Sequence, residues 1–182
     1  MSVFSPTEGL PYPHRRLYEV GLKMASAQTP AYDLAGMFHV AEHEDQTWGL
    51  VTVPNALVRG VYAAMDAPGA ELPPTSDGGR LNAHITVLRP DEIVQIGGAD
   101  KLKPDRGKQL NYTLGRLVTF RPAGWPGMER AWAVRVHSPD LQRLRRSYGL
   151  SSLPNEGKYD FHVTVAVRRS GVLGRNERRK SD

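Results

Sequence analysis

The sequence predicts an α+β fold made of two lobes of similar plan, and three observations carry that expectation. Fourteen prolines and eighteen glycines cut the 182-residue chain into short elements, which disfavours a helix bundle. The order strand, helix, loop, strand is read twice along it. Two of the expected strands also repeat one pattern, His84-Ile85-Thr86-Val87 and His162-Val163-Thr164-Val165. The chain is long enough to bury most of its apolar surface without a covalent staple. It contains no cysteine, which excludes a disulfide scaffold, a thiolate nucleophile and a sulfur-ligated zinc.

Residues 1–45 are expected to form a partly irregular N-terminal arm, rich in proline, with one short helix around Arg15–Ala27. Within it Met37–Ala41 alternates into the polar run Glu42–Thr47, a pattern that reads as one side of a hairpin with the next strand. Trp48–Val53 (WGLVTV) is β-branched, aromatic and stopped by Pro54, so it reads as a strand. Asn55 is placed to cap a helix carrying Leu57, Val61, Ala64 and Met65 at helical spacing, ending near Pro68-Gly69. Residues 68–80 are loop by composition. Asn82–Leu88 alternates and stops before Pro90, completing a first lobe over 46–110.

The second lobe, 111–170, is expected to repeat the plan. Leu114–Phe120 and Ala131–Val136 read as strands joined by a Pro/Gly-rich loop around Trp125. Pro139–Tyr148 has Leu141 and Leu144 at helical spacing, with Gly149 as its stop. Residues 151–158 are loop, and Phe161–Val167 is the last strand. Residues 171–182 form a basic tail. Six basic and two acidic side chains within 168–182 account for most of the net charge of +5, so the body is nearly neutral and lacks the basic stripe of a long nucleic-acid groove. No stretch approaches 18 uninterrupted apolar residues and no signal pattern opens the chain, so a cytoplasmic protein without a membrane partner is expected.

Strand side chains alternate faces, so the His and Thr of each repeated motif point the same way while the apolar residues point to the core. Each motif thus delivers an imidazole and a hydroxyl side by side on one face. One such motif alone is read most plainly as a strand histidine bonded to its neighbour; the recurrence is the informative signal.

At these residues the sequence resembles the two-histidine (2H) phosphoesterase superfamily, whose signature is two His-x-Ser/Thr-x strands, over about residues 46–170. The resemblance implies a bilobal fold of two antiparallel sheets with pseudo-twofold symmetry around a central cleft. It implies metal-independent cleavage of phosphodiesters, with no cofactor and no bound metal. Members act on RNA ends bearing 2′,3′-cyclic phosphate, on ADP-ribose cyclic phosphate and on 2′-5′ oligoadenylates, and some phage-encoded members destroy cyclic-nucleotide signals. The motif carries over to His84, Thr86, His162 and Thr164 as the catalytic residues. The chemistry suits them: phosphodiester hydrolysis needs a base for the attacking oxygen and an acid for the departing one, and imidazole does either near neutral pH. Threonine hydroxyls donate to the non-bridging oxygens. Which histidine is the base stays open at this stage.

The expected partner is a small nucleotide or short oligonucleotide substrate, with no obligatory protein partner. Lys158 and Tyr159, on the loop entering the second motif, and Trp125 are candidates for phosphate or base contacts. Trp48 reads as core packing and Arg168 as an end-of-strand surface charge. Three rivals stand beside the phosphodiesterase. One is a nucleotide- or RNA-binding module on the same fold without catalysis, and another is a structural protein with incidental motifs. The third is a zinc peptidase built on His39-Val40-Ala41-Glu42-His43, which needs that segment to be helical, whereas its surroundings read as a hairpin.

Overall fold

The computed structural model describes residues 33–73, 82–123 and 125–171, together with Glu19. Among these, six strands and three α-helices follow in the order β1 (Asp33–His43), β2 (Gln46–Thr52), α1 (Asn55–Ala64), β3 (His84–Leu88), α2 (Pro90–Gln95), β4 (Gln109–Phe120), β5 (Met128–His137), α3 (Pro139–Ser147) and β6 (His162–Arg169). A 3-10 helix, Ala99–Asp105, separates α2 from β4. The order strand, strand, helix, strand therefore occurs twice. The expected helix at 15–27 lies outside the described residues apart from Glu19, as does the tail beyond Gly171. No described helix is long and apolar enough to cross a membrane.

Every strand pairing is antiparallel, and the strands close into one barrel in the order β1-β2-β3-β6-β5-β4. The two expected sheets are thus continuous, joined by β1 with β4 on one side and β3 with β6 on the other. Residues 33–43, assigned from composition to the irregular arm, are a barrel strand. Asp33–Met37 pairs with β4 and Phe38–His43 with β2. Gly36 sits at this changeover, where an added Cβ would lie 2.1 Å from the Thr52 carbonyl oxygen and 2.6 Å from a Val51 methyl, so only glycine lets the strands approach. Glu44 and Asp45 make the two-residue turn of the expected hairpin, both with positive φ as such a turn requires.

Local sequence explains the helices. In α1, Leu57, Val58 and Val61 are buried on one face. Asn55 does not cap it. Pro54 takes the cap position, and the Asn55 Oδ1 instead accepts the Ala83 amide at 2.9 Å, tying the helix to the start of β3. At α3, Ser138 caps by accepting the Leu141 amide, Pro139 fits the first turn, and Gly149 follows with φ 73°. The core is one cluster between these helices and one face of the strands, including Phe38, Val51, Ile85, Val134, Val163, Leu57, Ile93 and Leu141.

One charged pair lies inside this core. Arg145 is fully buried and Glu92 is 7% exposed. The Arg145 guanidinium donates to Glu92 Oε2 at 2.9 Å and Oε1 at 2.6 Å, to the Val87 carbonyl at 2.6 Å, and to the Ser151 and Leu153 carbonyls at 2.8 and 3.1 Å. Burial works against the Glu92 charge, but the bonds from Arg145 and from the Arg89 and Asn155 amides outweigh it and hold the carboxyl below its ordinary value of 4.5. The lowered value contributes stability above about pH 4.5 that disappears as pH falls through it.

Arg145→Met is expected to lower the unfolding free energy by about 3–5 kcal/mol in urea titrations at pH 7, because Glu92 and two loop carbonyls lose their partner. The double variant Glu92→Met/Arg145→Met should recover part of that loss. A single variant as stable as the parent would show that the pair is dispensable.

Candidate functional site

β3 and β6 run side by side with Ile85 opposite Val163, both pointing into the core. Carried one residue each way, this register puts His84 beside Thr164 and Thr86 beside His162, on the face turned away from the core. The two imidazoles are then diagonal neighbours, with Cβ atoms somewhat under about 7–8 Å apart.

Each motif is followed by the same irregularity. Leu50 pairs with Thr86 but Gly49 with Leu88, so Val87 is an extra residue in β3. Likewise Ala133 pairs with Thr164 but Trp132 with Ala166, leaving Val165 extra in β6. Such bulges bend a strand and re-aim its side chains. The Val87 carbonyl, left out of the ladder, is the one that Arg145 takes up.

The two histidines are also held alike. The His84 Nδ1 lies 2.8 Å from the Asn82 carbonyl and the His162 Nδ1 lies 2.9 Å from the Asp160 carbonyl. A carbonyl oxygen only accepts, so Nδ1 carries the hydrogen in both rings, and the lone pair of each neutral ring belongs to Nε2. The residue before each histidine is pinned too. The Val53 amide donates to the Ala83 carbonyl and the Val136 amide to the Phe161 carbonyl, at 2.9 and 2.8 Å. The Phe120 and His162 rings meet in a T-shaped contact, 5.7 Å between centroids and 77° between planes, which limits rotation of the imidazole.

Further side chains share this face because their Cα atoms are paired with it. Arg135 lies opposite His162 and pairs with the Asp160 carboxylate at 3.4 Å. Thr52 lies opposite His84. His39 is opposite Leu50, which is opposite Thr86. Trp48, opposite Ala41, follows the same parity and is only half-buried, outside the core cluster. The expectation that Trp48 packs in the core is therefore corrected: β2 is covered on both faces around Gly49–Val51, and the indole belongs to the face opposite the helices.

His39 and His43 stand on a strand, not one turn apart on a helix, and among the described residues no group of three or more His, Cys, Asp or Glu is arranged to hold a metal. Trp125, 41% exposed, lies on the β4–β5 loop, and Tyr159, 47% exposed, on the loop before β6. Lys158 is paired with Glu156 at 3.8 Å. No hydrogen bond, ion pair or ring contact joins these three to the motif histidines. Arg168, read as a surface charge, is instead largely covered, its side chain 19% exposed and paired with Glu129 at 2.7 Å.

His84 keeps an exposed edge, yet desolvation by the protein packed around it is the largest influence and lowers its pKa below 6.5. The Asn82 bond works the other way, and the neighbouring His39 and His162 add to the lowering. His84 is thus neutral at pH 7. The unfolded chain takes up this proton more readily, so folded stability falls as pH drops from 6.5 through the lowered value. His84 Cε1–H should titrate below pH 6.5 by NMR. In His84→Gln, the part of the stability loss that comes from this group should vanish when denaturation is compared between pH 7 and pH 5.

Residues 60–172 match the family model described as Swiss Army Knife, 2H phosphoesterase domain, which spans both motif strands and more than half of the chain. No curated protein and no solved structure gives a match. Two imidazoles and two hydroxyls, set on paired strands by the same register, the same bulge and the same backbone bond, accord with that match, and the chain belongs to the 2H phosphoesterase family.

Proposed function

We propose that the protein is a metal-independent phosphodiesterase acting on small cyclic nucleotide phosphodiesters, such as a 2′,3′-cyclic phosphate or a short cyclic or 2′-5′-linked oligonucleotide. The observation that carries this reading is the matched anchoring of His84 and His162, which leaves the Nε2 of each ring for proton transfer. His84, held neutral, takes the proton from the attacking water as its oxygen bonds to phosphorus. Protonated His162 gives its Nε2 proton to the oxygen that departs. Thr86 and Thr164 donate to the non-bridging oxygens, where charge accumulates, and Arg135 supplies a cation beside His162. The reading includes a pseudo-twofold relation between the two motif halves, supported by the repeated element order and the two bulges. The nearly neutral body favours one phosphodiester at a time over a long nucleic-acid track.

His84→Ala and His162→Ala are each expected to abolish turnover of nucleoside 2′,3′-cyclic phosphates, 3′,5′-cyclic nucleotides, cyclic dinucleotides or 2′-5′ oligoadenylate, whichever is cleaved, while leaving the melting curve nearly unchanged. Thr86→Ala and Thr164→Ala should cost about 10–10³-fold in kcat, as single donors to developing charge. The kcat/KM profile should be bell-shaped, with its acid limb below pH 6.5 because His84 must be neutral. Activity should survive EDTA. Near-normal turnover in either histidine variant rules out paired-imidazole catalysis, and ligand binding without turnover in the parent protein favours a binding module.

A further inference from the structure

Two side chains on the site face neither take nor give a proton in this mechanism, although His39 adds to the lowering at His84. Trp48 and His39 are diagonal neighbours across the β1–β2 pair, close enough on one face for their rings to work together. Trp48 is half-buried and Leu50, next to it on the same face, is 9% exposed, yet neither belongs to the helix-backed core. The His39 Nδ1 is buried with no hydrogen-bond partner. Among the described residues no hydrogen bond anchors this ring, in contrast to His84 and His162, and a buried polar nitrogen left unpaired is costly.

The placement is one-sided. Two strands from Thr86, by way of Leu50, stands His39. Two strands from Thr164, by way of Ala133, stands Val118. On the β5 flank the polar group of this face is Arg135, already engaged with Asp160, whereas the β1–β2 flank holds a ring nitrogen without a partner. Two strand spacings come to about 10 Å, a distance that a ribose bridges between a phosphate and its base.

We infer that Trp48 and His39 form a nucleobase subsite, in which the indole stacks on the base and the His39 imidazole turns to hydrogen-bond its edge while the phosphodiester lies among His84, Thr86, His162 and Thr164. Stacking suits any base because each has a π-face, and an imidazole nitrogen offers a donor or an acceptor to whatever the edge presents. This inference rests on the phosphodiesterase reading for its substrate class.

The test compares 2′,3′-cyclic AMP with ribose 2′,3′-cyclic phosphate, which has the reacting group and no base. Trp48→Leu and His39→Leu are expected to raise KM for the nucleotide about tenfold, the scale of one lost base stack or edge contact, with kcat within about threefold. KM for the abasic substrate should not move, and Trp48→Phe and His39→Gln should restore most of the loss. An equal rise for both substrates, a fall in kcat alone, or no change overturns the subsite. Where Trp48→Leu does not fold, His39→Leu and His39→Gln carry the comparison. If the parent protein cleaves neither compound, the phosphodiesterase reading fails for this substrate class. Calorimetric titration with adenosine 3′-monophosphate and ribose 5-phosphate then decides the subsite. A preference for the nucleotide that His39→Leu removes supports it, and equal or absent binding of the two overturns it.

Discussion

The position of the two motif strands depends on the buried guanidinium of Arg145. Direct pairing between β3 and β6 amounts to one residue pair, Ile85 with Val163, which alone is a weak constraint on two strands that must present side chains to one substrate. Arg145 supplies the rest. From α3 it reaches the Val87 carbonyl in the bulge after the first motif, the Glu92 carboxylate on α2, and two carbonyls of the loop leading to the second motif. Every donor it uses meets an acceptor, and that is what makes a buried charge tolerable. The pair costs desolvation and returns geometry: it fixes where one motif ends relative to where the other begins.

That geometry also sets hydrogen positions. With Nδ1 bound to a backbone carbonyl, each histidine leaves one ring nitrogen, Nε2, for other partners. The environment then separates the two rings. The surrounding protein and two other imidazoles disfavour a proton on His84, and His162 stands beside Phe120 and opposite Arg135. Two motifs alike in plan thus sit in unlike surroundings.

Much of this was legible in the sequence because strands have a period of two. The alternation in His84–Val87 and His162–Val165 places imidazole and hydroxyl on one face whatever else surrounds them. Ser138-Pro139 and Gly149 likewise declare the ends of α3 by their local chemistry. What stayed hidden depends on contacts distant in the chain. Arg145 sits among Arg143 and Arg146 in a run that reads as solvated, and only the fold shows which of the three turns inward. The face chosen by Trp48 was misread because WGLVTV is apolar on both sides, so alternation gives parity without saying which parity is core. Of β1, the half that forms the hairpin with β2 was read from Met37–Ala41, but the half that pairs with β4 was missed, because the chain before it is Pro-rich and β4 lies some 70 residues further on. The anchors at Asn82 and Asp160 were signalled only faintly, by Asn or Asp standing two residues before each histidine.

The way the barrel closes has a consequence for synthesis. β1 finds β2 at once through a two-residue turn, but its other partner emerges much later, as the bond from Thr113 to Asp33 across 80 positions illustrates. Until the ribosome has delivered β4, the nascent first half carries an open β edge beside the narrow approach at Gly36, and open edges template pairing with other chains. Asp33 puts a charge on that edge, but Leu34 and the exposed Met37 share it and offer apolar surface to a stray strand. The stretch that later admits β4 is thus the part of the unfinished chain most open to mispairing.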